Sequence, residues 1–271
     1  MTGDPDLIAH YGRDGGAYEA IVDALADTGV DLDGTVPAAA LSGADEFHLG
    51  GAVATAAIID ALGLGAGDHV LDLGCGVGGP ARSMVAATGC RVTGVDLTPT
   101  FVEAAERLSH LTGLGEATRF RVGDVGRLDD ADATYDAATM FHVGMNLPDK
   151  PSVFTEVERV LGPGGRFVVY DVMRVAAGEL DYPVPWSSTP ATSHLATPEE
   201  YADALRSAGF AVAEPIDRRE LVAEVLARAA ANPPPVNLVH LMGPEFPSMI
   251  ANLVTAFRAG VVSPVQIVAT A

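Results

Sequence analysis

A glycine-rich segment after a short apolar run is the strongest chemical signal in the sequence. Residues 71–79 read Leu-Asp-Leu-Gly-Cys-Gly-Val-Gly-Gly, and the run before the glycines is typical of a buried strand. Glycines at a strand-to-helix turn permit a tight turn and bring backbone N–H groups close to a ligand. Gly74, Gly76 and Gly79 also match the dinucleotide spacing G-x-G-x-x-G, so the turn alone leaves the ligand class open.

Three acidic residues each end one of three successive predicted strands. They are Asp72, Asp96 and Asp124. Ligands of open α/β sheets bind at the carboxyl ends of the strands, so we expect the three carboxylates to form one site. Asp96 could accept from two ribose hydroxyls and Asp124 from an adenine amine. An acid beside the glycines disfavours an anionic pyrophosphate and favours S-adenosylmethionine, which carries a sulfonium and an ammonium.

The composition agrees with a ligand that is small or cationic. The 271 residues carry a formal net charge of −20, which excludes a uniformly basic nucleic-acid surface, and 48% are hydrophobic, as in globular proteins. No apolar run reaches the roughly 18 residues of a membrane span, and the first residues lack a signal-peptide pattern. Two cysteines make no disulfide framework. We therefore expect a cytoplasmic protein without nucleic-acid or membrane partners.

Short apolar runs alternate with helical segments, which predicts βαβ units and a parallel sheet covered on both faces. We predict a single domain over 1–271. Its core covers about 49–172, 197–214 and 263–271, and its cap covers 1–48, 173–196 and 215–262. Capping boxes are predicted at Thr197 and at Asp217.

These motifs resemble those of class I S-adenosylmethionine-dependent methyltransferases. The resemblance covers residues 48–172 and includes the glycine segment, the strand-end acids and Leu-Gly-Pro-Gly-Gly at 161–165. Residues 78–82 and 145–150 resemble the small-molecule branch, which includes sarcosine/dimethylglycine N-methyltransferases and natural-product tailoring enzymes. The resemblance implies a Rossmann-like α/β fold. In that fold a seven-stranded, mostly parallel sheet has an antiparallel last strand, helices on both faces and a helical cap over the site.

The resemblance also implies that S-adenosylmethionine is the cofactor and S-adenosylhomocysteine its product. The expected cofactor-binding residues lie on the glycine turn, at the strand ends and before the first core helix: His48, Asp72, Gly74, Cys75, Gly76, Gly78, Asp96, Leu97, Asp124, Val125 and Met140.

Three residues are candidates for catalysis. His142 follows the fourth strand, where a neutral imidazole could act as a base, or could only hydrogen-bond the cofactor or loop. Asp171 matches a family acid that orients or assists a base. Tyr11 either covers the cofactor or belongs to the core. Residues His194, Asp171 and His240 lack metal-ligand spacing, so we predict no metal.

The sequence indicates the methyl acceptor less directly than the cofactor. Sugar O-methyltransferases similar to this chain often carry His-His where this chain has Met145 and Asn146. The missing base favours transfer to an amine or an acidified hydroxyl, hence N- or O-methylation of a small molecule in natural-product biosynthesis. The alternatives are a non-methylating relative such as a cyclase, and an NAD(P)-dependent oxidoreductase. We expect a monomer or homodimer. Five large residues are either pocket or core: Trp186, Met242, Phe246, Met249 and Phe257.

Overall fold

The computed structural model describes residues 16–271, with the side chains of residues 240 and 241 excluded. Tyr11 therefore lies outside the described residues. The centre of the fold is a sheet whose strands are β1 (His69–Leu73), β2 (Arg91–Asp96), β3 (Thr118–Val122), β4 (Tyr135–Phe141), β5 (Leu161–Arg174), β6 (Ala211–Val212), β7 (Ile216–Asp217) and β8 (Val262–Thr270). The strand order is β3-β2-β1-β4-β5-β8-β6, with β7 also paired to β8.

Helices connect the strands and build the cap. They are α1 (Ala17–Ala26), α2 (Gly51–Leu62), α3 (Gly79–Thr88), α4 (Pro99–Leu111), α5 (Lys150–Val160), α6 (Pro198–Ser207), α7 (Arg219–Ala231), α8 (Val239–Met242) and α9 (Phe246–Arg258). The Thr197 capping box of α6 is formed as predicted. The one predicted at Asp217 is not, because Asp217 lies in β7 and Arg218 is the N-cap residue of α7.

The predicted parallel sheet with an antiparallel last strand is confirmed, and it has eight strands within residues 16–271 rather than seven. β1 to β5 pair in parallel, while β8 runs antiparallel to β5. The difference arises at the edge, where β6 and β7 pair with separate parts of β8. Pro215 lies between these two short strands, and a proline has no N–H to donate to a ladder.

Each sheet face buries its own apolar cluster, because alternate residues of a strand point to opposite faces. Phe167 and Val169 of β5 pack with α5 and α6 on one side. Val168 and Tyr170, from the same strand, pack with α2 and α3 on the other. This double coverage explains why the central strands read as continuous apolar runs.

The cap contains α1, α8, α9 and the loop that carries Trp186. Helix α1 packs against α4 through Ile21, Leu25 and Leu108. Trp186 packs with Leu253 of α9, while Met242 and Phe246 form a separate small cluster. No helix within residues 16–271 has the length and apolar character that a membrane crossing needs.

Candidate functional site

A deep cavity lies at the carboxyl ends of β1, β2 and β4 and extends under the cap. Part of its lining, here called the glycine wall, consists of Gly74, Gly76, Asp96, Leu97, Thr98 and Val125 at the ends of the strands. A second part, here called the apolar wall, comes from the cap and consists of Trp186, Leu238, Met242, Phe246, Ile250 and Leu253. The rest of the lining consists of Phe47, His48, Leu49, Phe101, Phe141, His142, Val143, Met145, Asn146, Leu147 and Pro185.

The glycine turn is shaped to leave space at the cavity. Gly74 and Gly76 have φ angles of 68° and 52°, a region that favours glycine. A Cβ atom on Gly74 would overlap the Val143 side chain, and one on Gly76 would lie 3.0 Å from the Phe47 ring. Side chains at either position would fill the cradle at the floor of the cavity.

The N–H groups of this turn are used within the protein. Gly74 and Cys75 both donate to the carbonyl oxygen of Val95, at 2.8 and 3.1 Å. Gly76 donates to Asp96 Oδ2 at 2.9 Å. These three N–H groups are therefore not presented to a ligand as the sequence led us to expect. The Gly76 N–H instead holds the Asp96 carboxylate at the cavity.

Asp96 is the acidic residue of the cavity lining. Its Oδ2 accepts from Gly76, and its Oδ1 accepts from the Thr98 N–H at 2.9 Å, so the carboxylate is held from both sides. Each carboxylate oxygen has two lone pairs and keeps capacity for a further donor. Burial raises the pKa of Asp96, with the backbone hydrogen bonds opposing that shift. The side chain is thus a fixed acceptor suited to neutral donors such as ribose hydroxyls.

His48 lines the cavity and is anchored from behind. Its Nε2 lies 3.2 Å from the Gly51 carbonyl and 3.1 Å from Thr55 Oγ1, which itself donates to Glu46 Oε2 at 2.8 Å. Nε2 must therefore carry the hydrogen, and Nδ1 holds the lone pair. Burial lowers the pKa of His48 to about 4, which keeps the ring neutral.

Asp45 and Glu46 are two buried acids next to His48 that were not predicted from the sequence. Burial and the neighbouring Asp45 carboxylate raise the pKa of Glu46 to about 8. Asp45 itself pairs with Arg82 Nη2 at 2.8 Å, and both side chains are buried. The available signal was a single arginine, Arg82, in a helix without any other charged residue, which indicates that it needs a buried acidic partner. Its partner, 37 residues away in a loop, could not be identified from spacing.

His142 is held in a constrained conformation at the centre of the cavity. Its φ of 54° is unusual for a residue with a side chain, and its N–H donates to the Tyr170 carbonyl at 2.8 Å. Burial lowers the pKa of His142 well below its usual range. Its Nε2 and the Oδ1 of Asn146 are buried without a hydrogen-bond partner among the described residues. Such orphaned atoms are uncommon in proteins and call for a missing partner.

Asp171 lies behind the cavity rather than in its lining. Its Oδ2 accepts from Tyr201 Oη at 2.7 Å. The N–H of Gly144 also bonds the carboxylate, which burial keeps at a raised pKa of about 7. Asp171 thereby supports the short 3₁₀ turn Gly144–Asn146, two residues of which line the cavity.

The structure separates the predicted cofactor residues into two groups. Those that line the cavity are His48, Gly74, Gly76, Asp96, Leu97 and Val125. Those that lie close by but outside the lining are Asp72, Cys75, Gly78, Asp124 and Met140. Asp72 is buried and accepts from Thr139 Oγ1 at 2.8 Å, and burial raises its pKa to about 7.

The remaining members of the second group have structural positions. Asp124 accepts from the Gly126 N–H at 2.9 Å, and Cys75 donates its N–H to the Val95 carbonyl at 3.1 Å. Gly78 is the N-cap residue of α3, and Met140 is fully buried in the core. Of the five candidate pocket residues, Trp186, Met242 and Phe246 line the cavity. Met249 and Phe257 are core residues next to it.

Comparison with known proteins agrees with this geometry. Residues 71–169 match the family model described as a methyltransferase domain. Sterol 24-C-methyltransferase from Eremothecium gossypii is 40% identical over 109 residues, which is 40% of this chain and 29% of that protein. Methyltransferase GfsG from Streptomyces halstedii is 35% identical over 127 residues, or 47% of this chain and 45% of that protein. The matches thus span less than half of each relative's length.

Solved structures share the whole fold. Geranyl diphosphate C-methyltransferase from Streptomyces coelicolor, in complex with Mg²⁺, geranyl-S-thiolodiphosphate and S-adenosyl-L-homocysteine, superposes with a TM-score of 0.70. It is 19% identical and covers 100% of this chain and 99% of that one. These findings support the predicted resemblance to class I S-adenosylmethionine-dependent methyltransferases: residues 71–169 match a methyltransferase domain, and the chain shares the fold of a solved methyltransferase. S-adenosylmethionine is the cofactor of that class.

Proposed function

We propose that the protein transfers a methyl group from S-adenosylmethionine to a small molecule. The observation that carries this proposal is that a single cavity is lined by the glycine wall, by the apolar wall and by His48, His142 and Asn146. One end has the polar groups that a nucleoside needs. The other has the apolar surface that an organic acceptor needs, and both open into the same space.

In this proposal the glycine wall holds the cofactor. Asp96 accepts from the ribose hydroxyls, while Leu97 and Val125 contact the adenine and the glycine turn leaves room for the rest of the nucleoside. When bound, S-adenosylmethionine supplies an activated methyl group on a sulfonium. Asp72 lies outside the lining, and because burial raises its pKa to about 7 it is not a fixed negative charge near neutral pH.

The residues between the walls position the acceptor. Holding the accepting atom roughly 3–3.5 Å from the methyl carbon, in line, can contribute on the order of 7–11 kcal/mol. The apolar wall excludes water from this space. His142 is neutral because burial lowers its pKa, so its ring can hydrogen-bond an attacking hydroxyl or amine and assist loss of its proton. The same lowered pKa makes the ring a weaker base than an exposed histidine.

The acceptor atom is the finer part of the proposal. The sequence favours nitrogen or oxygen, and His142 supports such an acceptor because a neutral base lies in the cavity. A carbon acceptor is the second candidate, since several relatives are named as C-methyltransferases. NMR of a product made with ¹³C-methyl cofactor distinguishes the three, because C-, N- and O-methyl carbons resonate in separate ranges.

A binding and transfer experiment tests the proposal. S-adenosylhomocysteine should raise the melting temperature of the wild type, as expected for a ligand of the folded state. Asp96→Ala should abolish that shift, whereas Asp129→Ala, at an exposed acid, should retain it. Incubation with methyl-labelled S-adenosylmethionine and a panel of apolar alcohols, amines and phenols should then yield a labelled product. An unchanged shift in Asp96→Ala would overturn the assignment of the cofactor site.

The same experiment addresses the alternatives. Cofactor binding without label transfer to any acceptor would favour a non-methylating protein such as a cyclase. A thermal shift with NADH and none with S-adenosylhomocysteine would favour an oxidoreductase. Neither alternative is favoured by the two curated relatives described above, which are both named as methyltransferases. Asp96 alone does not distinguish the cofactors, because an acid at this position can bind the ribose of either one.

A further inference from the structure

The charge of the cavity limits what the acceptor can be. Among its described lining residues there is no lysine or arginine, and Asp96 contributes a carboxylate. A diphosphate carries several negative charges, and burying them without cations in an apolar space is very costly. The described side chains, which exclude those of residues 240 and 241, also contain no cluster of three or more His, Cys, Asp or Glu that could hold a metal ion.

The cations near the cavity are engaged elsewhere. Lys150 Nζ donates to the Leu147 carbonyl at 3.0 Å and to the His194 carbonyl at 2.7 Å. Arg82 is paired with Asp45. Moving either side chain to a phosphate would leave these buried acceptors unpaired, at a cost comparable to that of a lost hydrogen bond each.

Two polar atoms in the middle of the cavity lack partners. They are His142 Nε2 and Asn146 Oδ1, both buried without a hydrogen bond to any described residue. Both residues belong to the cavity lining. Asn146 Oδ1 only accepts, whereas Nε2 of a neutral imidazole donates or accepts according to its tautomer, so a group that can both donate and accept satisfies the two atoms. A hydroxyl does so without bringing a charge into the apolar space.

We propose that the acceptor is a predominantly apolar, non-phosphorylated molecule with a hydroxyl group, and that Asn146 is the residue that selects this hydroxyl. The inference rests on the proposed function, because it describes the second ligand of the same cavity. In the complex with S-adenosylhomocysteine the hydroxyl donates to Asn146 Oδ1 and accepts from the His142 Nε2–H, and the apolar wall contacts the carbon skeleton. Proton transfer to His142 requires its other tautomer, in which Nε2 accepts. The proposed acceptor differs from the diphosphate ligand in the structure of the geranyl diphosphate C-methyltransferase that shares this fold.

Calorimetric titration of the protein saturated with S-adenosylhomocysteine tests the acceptor class. The probes are geraniol, farnesol, the hydrocarbons of the same chains and geranyl diphosphate. The alcohols should bind at least about tenfold more tightly than the hydrocarbons or the diphosphate. Tighter binding of the diphosphate, equal binding of alcohol and hydrocarbon, or binding of none of them overturns the inference. Because the cofactor product is already bound, these outcomes are distinct from a failure of the proposed function, in which S-adenosylhomocysteine itself would not bind.

Variants at Asn146 test the selecting residue. Asn146→Leu should reduce the preference for alcohol over hydrocarbon by about tenfold, because the leucine cannot accept from the hydroxyl. Asn146→Asp keeps an acceptor of the same shape and should retain that preference. Titrations at saturating S-adenosylhomocysteine remove any effect on cofactor affinity. An unchanged preference in Asn146→Leu, or an equal loss in both variants, would count against a role for Asn146 in recognising the hydroxyl.

Discussion

The imidazole of His142 stacks on the phenol ring of Tyr170, with the ring centroids 5.5 Å apart and the planes inclined by 23°. The Tyr170 hydroxyl in turn donates to the Leu49 carbonyl at 2.7 Å. The backbone of the same two residues is joined by the bond from His142 N–H to the Tyr170 carbonyl. The position of the candidate base is therefore determined by β5, a central strand of the sheet.

His142→Ala should lower turnover by about a hundredfold or more, since a positioned base contributes roughly 10²–10⁴. The affinity for S-adenosylhomocysteine should change much less. Because burial lowers the pKa of His142, its protonation should not limit the rate near neutral pH. Steady-state kinetics and calorimetry on the same variant check both statements. A variant that loses only cofactor affinity would show that His142 is not the base.

Gly74→Ala should abolish cofactor binding and destabilise the fold. The new Cβ would overlap Val143, and the φ of 68° adds about 1–2 kcal/mol of backbone strain. Gly164→Ala is the matched control, since its φ is 77° and no atom lies within 4 Å of the new Cβ. Urea unfolding and thermal shift with S-adenosylhomocysteine should show a stability loss from strain alone in the control, with ligand binding retained. Similar effects at both sites would contradict the crowding at Gly74.

In Asp171→Asn, the free energy of unfolding should fall less steeply as the pH rises than it does in the wild type. Burial raises the pKa of Asp171 from 3.8 to about 7, so the folded protein binds a proton there that the unfolded chain releases. The resulting stabilisation is complete below about pH 4 and is lost as the pH rises through about 7. Its upper bound is about 4 kcal/mol. Unfolding measured across this range should retain the wild-type slope in Asp129→Asn, at an exposed position. An unaltered slope in Asp171→Asn would refute the assignment.

Breaking the buried Asp45–Arg82 pair should be costly. Arg82→Met leaves the Asp45 carboxylate buried without its partner, which typically costs about 3–5 kcal/mol. Arg206→Met, in an exposed pair with Asp203, should change the free energy of unfolding by less than about 1 kcal/mol. The double variant Asp45→Asn/Arg82→Met should lose less than the sum of the two single variants. Additive losses in denaturant unfolding would indicate that the two side chains are not coupled.

Variants of Phe246 and Met249, which belong to one apolar cluster, distinguish a role in acceptor binding from a role in packing. Both are buried beside Met242, yet of these two only Phe246 is among the described residues of the cavity lining. Phe246→Ala should raise the KM of the acceptor by roughly tenfold or more, because it removes about 2 kcal/mol of apolar contact. Met249→Ala should cost stability, in the range of about 2–5 kcal/mol, and leave the KM close to that of the wild type. Equal effects on KM would remove Phe246 from the acceptor site.

Strand positions were predictable from sequence, but the directions of side chains were not. The runs that end at Asp72, Asp96 and Asp124 correctly located the edge of the sheet where the cavity lies. Within that edge, Asp96 faces the cavity, whereas Asp72 turns to Thr139 of the neighbouring strand and Asp124 caps its own turn. Which way a carboxylate points depends on partners that are distant in sequence.

Asn146 illustrates a different limit. From the sequence, Asn146 is only a position at which the His-His pair of related enzymes, and with it the usual base, is missing. Its place in the cavity follows from the 3₁₀ turn Gly144–Asn146, which is supported by Asp171 and Tyr201 on β5 and α6. No spacing rule connects these residues, because the contact spans 25 to 55 positions along the chain.

The two walls of the cavity are encoded in separate stretches of the chain. The glycine wall belongs to residues 74–125, and five of the six residues of the apolar wall lie in the contiguous stretch 238–253. Recombination that exchanges residues 238–253 between homologues would replace most of the acceptor-facing surface together and leave the nucleoside-facing surface unchanged. Substrate range can thus diversify in this scaffold without renewed selection for the chemistry.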